Sequence, residues 1–244
     1  MSSLLSAYRK RILRKFFDQK DLHPSALRHI KVVDQINREK SITETQYIVF
    51  DTELTGLNLK KDSIVSLGAV KMAGMRIDLS KTYYRIVEPT AKLTGKSVVI
   101  HGITPSEASL SPRIDLLLPE FLDFCGYGII VGHFVPIDLE FINKEMIRMF
   151  GFSMQSPAID TQMIYRWIRK KEEKLCAYHT GMREEMDLFS LASKYSIPVK
   201  EAHNALNDAF ITAQLFQRFL SILSEFGVQT VDDLLRIGNP RKPG

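Results

Sequence analysis

Cysteine is scarce, with only Cys125 and Cys176 in 244 residues. Two isolated thiols without metal-ligand spacing exclude a disulfide framework and a cysteine-based zinc site, and they read as ordinary thiols of a reducing compartment. Long apolar runs are missing too. No stretch approaches the roughly 20 residues that a bilayer span needs. The opening MSSLLSAYRKRILRKFF lacks the apolar h-region and small-residue cleavage site of a secretory leader. The expected location is therefore the cytoplasm. There is no internal repeat and no low-complexity tract, which excludes solenoids and disordered linkers.

What is present suits one ordinary globular domain with a short appendage. The hydrophobic fraction of 45% and charged fraction of 25% are those of a soluble folded chain, long enough to bury a core without staples. Charge is unevenly placed. Ten Lys/Arg against four Asp/Glu leave residues 1–40 at +6, so the remaining 204 residues carry −1 of the +5 total. Such a basic arm attracts phosphate backbones, or is simply a solvated helix face; both readings stand.

The apolar pattern divides the chain into a basic helical extension over 1–43, a body over 44–226 and a short helix with a tail over 227–244. In the extension, Leu4, Leu5, Tyr8, Ile12, Phe16 and Phe17 recur at helical spacing and predict a helix docked on the body. A second short helix follows His23-Pro24-Ser25. From residue 44 the rhythm becomes that of strands. Tyr47–Phe50, residues 63–73 and residues 81–88 predict three strands, the last two forming a hairpin around Gly74. A helix over 113–124, a strand over 128–132, a helix from Pro136, a strand at Ala158-Ile159 and a helix capped by Asp160 through Arg169 come next. Residues 170–185 read as a loop, followed by helices near 187–196, 204–225 and 230–236. The fold class is α/β, with a mixed five-stranded sheet flanked by helices.

Four carboxylates do not fit a surface role. Asp51 and Glu53 sit two positions apart at the end of an apolar strand, on one face, where like charges are costly without a cation. Carboxyl ends of strands are also where α/β sheets bind ligands. Taken alone this pair is a weak signal. Asp138 opens a helix, where the dipole favours an acid, yet Phe141 and Ile142 place it on the buried stripe, while Glu140 faces away. Asp208 shares a face with Ile211, Leu215 and Phe219, and the opposite stripe (Ala209, Ala213, Phe216, Leu220) is also apolar. An unpaired carboxylate on such a helix is strongly disfavoured. Oxygen-only ligands suit Mg²⁺ or Mn²⁺ rather than Zn²⁺. Two such ions, roughly 4 Å apart, clamp the attacking and leaving oxygens of a phosphoryl transfer. His203, five positions before Asp208, is the candidate general base. His23, His29 and His179 read as satisfied core residues.

These residues resemble a known family. Asp51-Thr-Glu, Asp138 and His203-x4-Asp208 are similar to the DEDDh 3′–5′ exonucleases of the ribonuclease H-like fold, which include the proofreading epsilon-like subunits of bacterial replicative polymerases and ribonuclease T-like enzymes. Asp51-Thr52-Glu53-Leu54-Thr55-Gly56-Leu57 fits the first motif and His101-Gly102-Ile103-Thr104 a recurrent H-G-I-T. Val131-Gly132-His133 leads into the second motif, and His203-Asn204-Ala205-Leu206-x-Asp208-Ala209 fits the third. Coverage runs from Gln46 to Phe226.

The resemblance implies a two-metal mechanism using two Mg²⁺ or Mn²⁺ ions. Asp51 would bridge them, Glu53 and Asp208 would hold the water-activating ion, and Asp138 the leaving-group side. His203 would take the proton of the attacking water, and the product would be a nucleoside 5′-monophosphate. Thr52, Leu54, Thr55, Leu57, His101 and Phe134 would contact the terminal nucleotide, with Leu57 as an apolar wedge and His101 near the sugar. The family's second motif usually reads G-H-N-x-x-F-D; here Phe134 replaces the Asn and Ile137 the Phe. Phe134 either stacks on a base or packs internally.

The leading expectation is a DNA-directed exonuclease acting on single strands or frayed ends, in DNA repair or proofreading. The rivals are an RNA 3′-end trimming enzyme of the same fold and a catalytically silent nucleic-acid-binding module. A polymerase or other replication or repair partner would dock through the N-terminal helices. The 18 residues after 226 offer little room for an extended polymerase-binding segment, which favours a stand-alone enzyme.

Overall fold

A computed structural model describes residues 22–175, 186–200 and 202–240. The predicted helix over Leu4–Phe17, His179 and most of the predicted 170–185 loop lie outside the described residues. Within them the elements run α1 (Pro24–Ile30), α2 (Val32–Gln35), β1 (Gln46–Leu54), β2 (Ile64–Ala73), β3 (Arg76–Ile86), α3 (Gly95–His101), α4 (Pro105–Ser109), α5 (Ile114–Cys125), β4 (Ile129–Gly132), α6 (Pro136–Phe150), β5 (Ala158–Asp160), α7 (Thr161–Leu175), α8 (Leu188–Lys194), α9 (Ala205–Glu225) and α10 (Val231–Ile237).

The sheet has five strands in the order β3-β2-β1-β4-β5. β1 pairs antiparallel with β2 and parallel with β4; β2–β3 is antiparallel and β4–β5 parallel. This is the mixed ribonuclease H-like sheet expected from the sequence. Strand alternation sorts its two faces. Tyr47 and Val49 pack with α9 and α7 through Phe216, Phe219 and Ile168. Ile48 and Phe50 pack with α5 and α6 through Phe121, Phe141 and Ile142. Continued to the strand's end, the odd positions Asp51 and Glu53 belong to the α9 face and Thr52 to the α6 face. That alternation positions the whole site.

α9 can lie on the sheet because β2 has a glycine beneath its first turn. A Cβ on Gly68 would stand 2.1 Å from the Ala205 backbone, and Gly68 is the register partner of Asp51. The first turn of α9 therefore rests beside Asp51. Asn204 caps α9, accepting from the amides of Leu206 and Asn207, which satisfies donors the helix leaves free.

Several local expectations change. α7 continues to Leu175, past Arg169; its charged residues are a solvated face, where Arg169 pairs with Glu172. β3 begins at Arg76, not 81, because the tight turn at Gly74 (φ 57) returns the chain directly into pairing. α3 and α4 were not anticipated. Both are too short for an apolar period, and their capping threonines, Thr94 and Thr104, are their main signals. His23 is no core residue: it is exposed and caps α1, its Nδ1 accepting from the Ser25 amide at 3.3 Å. His29 is buried, as expected, and its Nε2 accepts from the Gln155 amide, but its Nδ1 has no partner, so it is only half satisfied.

The ends of the described chain pack onto the body. α1 puts Ala26 and Ile30 into the core beside α5, and Ser25 and Arg28 both bond Asp123. Residues 38–42 run beside 229–232, where the amides of Ile42, Val231 and Asp232 bond the carbonyls of Gln229, Lys40 and Arg38. No helix among the described residues is long and apolar enough to cross a membrane.

Candidate active site

Asp51, Glu53 and Asp208 converge, each offering an oxygen within 4.8 Å of the others. Asp51 and Glu53 come from one face of β1, and Asp208 from the first turn of α9 above it. The fourth acid arrives from the opposite face. Pairing of β1 with β4 stops at Val49↔Val131, so the strand edge beyond that point has no backbone partner there. α6 fills the gap. Asp138 Oδ1 accepts the Thr52 amide at 3.0 Å and the Thr52 hydroxyl at 2.6 Å, and Asp138 is only 6% exposed.

The electrostatics show a centre short of positive charge. Burial pushes Asp51 well above the usual carboxylate range, and the charges of Asp138, Glu53 and Asp208 push it further. Glu53 rises to about 8, through burial first and then the charges of Asp208 and Asp138. Burial lifts Asp138 to about 7, against the opposing Thr52 bonds, and Asp208 to about 6. Asp208 Oδ1 is buried without a hydrogen-bond partner. Such an orphaned oxygen is costly unless something binds it. Oxygen-only donors, clustered and underneutralised, fit hard divalent cations; the residues present suit that group.

His203 lies just outside the α9 cap and is exposed. Its amide donates to Asp208 Oδ2 at 3.2 Å, and its ring meets Phe189 edge-on at 5.2 Å. Of the three non-glycine residues with left-handed backbone among the described residues, two, His203 (φ 61) and Phe134 (φ 53), lie just before the helices that carry Asp208 and Asp138. Strained conformations of this kind collect at functional sites.

The other predicted residues are placed as follows. The hydroxyls of Thr52 and Thr55 are engaged internally, with Asp138 and with Asp62. Leu54 is half-buried against the core, whereas Leu57 is 75% exposed. His101 is buried; its Nδ1 accepts from the Ile103 amide, which leaves Nε2 as a donor with no partner. Phe134 is exposed, edge-on to His133. Sequence reasoning saw Asp160 only as a helix cap. It does accept from the Gln162 amide, but the same Oδ1 also takes the Phe134 amide at 3.1 Å and so holds the second-motif loop. An acid ending a buried strand, as at Asp51, was the available signal. Asp62 and Lys144, which brace the loop after β1, carried no sequence signal.

A carboxylate-only centre at the strand ends of a ribonuclease H-like sheet defines the class of nuclease built for phosphodiester hydrolysis. Comparison with known proteins names the family. A family model for the RNase T exonucleases matches residues 48–216, and the chain belongs to that exonuclease family.

Among curated relatives, DNA polymerase III subunit epsilon of Aquifex aeolicus is 28% identical over 198 residues, 81% of this chain and 92% of that protein. The PolC-type DNA polymerase III of Thermotoga maritima is 29% identical over 206 residues, 84% of this chain. The chain spans 14% of that polymerase's length. Among solved structures, E. coli exonuclease I in complex with a dT13 oligonucleotide matches with a TM-score of 0.64 at 15% identity, over 75% of this chain and 42% of that one. Exonuclease X in complex with 5′ overhanging duplex DNA matches with a TM-score of 0.54 at 22% identity, over 80% and 99%. These likenesses show the shared fold.

Proposed function

We propose that this chain is a 3′–5′ exonuclease that releases nucleoside 5′-monophosphates from single-stranded or frayed DNA 3′ ends. The observation that carries the reading is the convergence of Asp51, Glu53 and Asp208 within 4.8 Å, with Asp138 tied to the same strand end by Thr52. Asp51, Glu53, Asp138 and Asp208 would hold two divalent cations, Mg²⁺ or Mn²⁺. Those cations would supply charge neutralisation of the phosphodiester and an acidified water at neutral pH.

The chain's own residues do the rest. His203, exposed and tethered through its amide to Asp208, accepts the proton of the attacking water. His101 Nε2–H, buried without a partner, donates to the terminal sugar. Thr52 fixes the Asp138 carboxylate, and Leu54 and Thr55 shape the floor of the terminal nucleotide site. Exposed Leu57 and Phe134 contact the bases. Neither reads base identity, because apolar contact and stacking accept any base.

The DNA preference is supported by relatives named as DNA polymerase III subunits and by an exonuclease I structure solved with dT13. The same names support association with a replicative polymerase, and the basic segment over 1–43 is a candidate contact to that partner or to nucleic acid. We assign catalysis to residues 44–226 and place the enzyme in the cytoplasm. The test is digestion of 5′-labelled single-stranded DNA and RNA with Mg²⁺ or Mn²⁺, beside Asp51→Ala. Stepwise shortening of DNA by wild type alone is expected. Preferred shortening of RNA would overturn the DNA assignment, and shortening of neither would overturn the enzymatic reading.

A further inference from the structure

The loop that leaves β1 after Leu54 contains a turn in which Asn58 accepts the Lys60, Lys61 and Asp62 amides, and one carboxylate ties that turn to the strand end. Asp62 Oδ1 accepts the Thr55 hydroxyl at 2.9 Å and Asp62 Oδ2 accepts the Asn58 amide at 2.8 Å. The neck is closed by the Thr55 amide on the Ser63 carbonyl and the Ser63 amide on the Thr55 hydroxyl. From outside, Lys144 Nζ of α6 donates to the Asp62 carbonyl at 2.8 Å. Gly56 packs against the same carboxylate: a Cβ there would stand 2.6 Å from Asp62 Oδ2 and would push it aside.

So much internal bonding holds up a tip that buries little. Leu57 is 75% exposed and Leu59 37%, with Lys60 and Lys61 exposed beside them. Two leucines and two lysines on a stiff loop, starting one residue after the strand that carries Asp51 and Glu53, suit a nucleic-acid chain. The leucines offer apolar surface to bases, and the lysines offer charge to phosphates. Holding that tip in place beforehand removes the ordering cost of binding.

We propose that Asp62 is a positioning residue that sets the 55–63 loop so that its Leu57 and Lys60-Lys61 tip grips the substrate chain beyond the terminal nucleotide. The inference rests on the nuclease reading above. Asp62 touches neither substrate nor the acidic centre; it acts through the loop.

The test compares kcat/KM on a single-stranded oligonucleotide with that on the p-nitrophenyl ester of thymidine 5′-monophosphate, which has no second nucleotide. Asp62→Ala is expected to lower the oligonucleotide-to-ester ratio about 10- to 100-fold, mainly through oligonucleotide KM. Gly56→Ala, which displaces the same carboxylate, should do likewise, and Asp62→Asn should recover part of the loss. The double variant Leu57→Ala/Asp62→Ala should be no worse than Asp62→Ala, because residues acting through one another are not additive. Equal loss on both substrates, or additive effects of Leu57 and Asp62, would overturn the inference. Failure of the nuclease reading looks different, since wild type would then hydrolyse neither substrate.

Discussion

The backbone amide of His203 donates to the side chain of Asp208, five residues further on, at 3.2 Å. This bond explains why the spacing of the two residues matters. Asn204 caps α9, Asp208 projects from its first turn, and the residue before the cap is drawn back over that turn in a left-handed conformation. One carboxylate thereby belongs to the acidic centre and anchors the backbone of His203, the proposed general base.

His203→Ala should lower kcat about 10²- to 10⁴-fold, the usual contribution of a general base. Because the ring is exposed and the anchor is made by the backbone, thermal stability should change little. Steady-state kinetics beside a melting curve checks both; a normal kcat would remove His203 from the mechanism.

Asp51→Asn should abolish turnover and at the same time stabilise the metal-free protein. Asp51 is held well above its ordinary range by burial and by three neighbouring acids, so a neutral amide relieves repulsion at neutral pH. Sites kept for chemistry at a cost in stability behave this way. Melting in EDTA reads the effect, and a lower Tm than wild type would contradict it.

Stabilisation by divalent metal should grow with pH. The acids of the centre have folded-state values raised above the ordinary 3.8 for Asp and 4.5 for Glu, to about 6, 7 and 8 for Asp208, Asp138 and Glu53. Raised values mean that the folded protein binds more protons than the unfolded chain. Without metal, this group of acids therefore costs stability progressively as pH rises from about 4 to 8. Cations reverse that cost and add binding energy of their own. The difference in Tm between Mg²⁺ and EDTA, measured from pH 5 to 8, should widen; a constant difference would show that the acids are not the ligands.

Phe134→Asn should raise stability and weaken single-strand binding together. A left-handed backbone is costly for a bulky side chain and easier for Asn, by roughly 1 kcal/mol. Losing a stacking ring removes roughly 1–3 kcal/mol of binding, about 5- to 150-fold in Kd. Fluorescence anisotropy with labelled oligonucleotides, under conditions that prevent hydrolysis, measures it. Unchanged affinity would reduce Phe134 to a packing residue.

Much of this site was legible in the sequence because burial patterns expose misplaced charge. Asp208 stood on a helix apolar on both sides, and Asp138 shared a stripe with Phe141 and Ile142; all are buried in the structure. The two-residue spacing likewise told that Asp51 and Glu53 share one face, but which face was not legible, because Tyr47–Phe50 is apolar throughout and buried on both sides. The bracing of the site was not legible. Nothing near Asp62 or Lys144 in sequence announces their bonds to the loop, since Lys144 is 82 residues from its acceptor. Nor could spacing show that the Thr52 and Thr55 hydroxyls are engaged inside the protein.

Local chemistry thus determined which acids are unusual, which elements carry them and which histidine stands beside them, because periodicity and helix capping are properties of short segments. Tertiary structure decided how the acids meet. β4 ends early enough for Asp138 to take the place of a strand partner, and Gly68 lets α9 rest on the sheet beside Asp51. Both depend on where separate segments stop and touch, which no periodicity within a segment encodes.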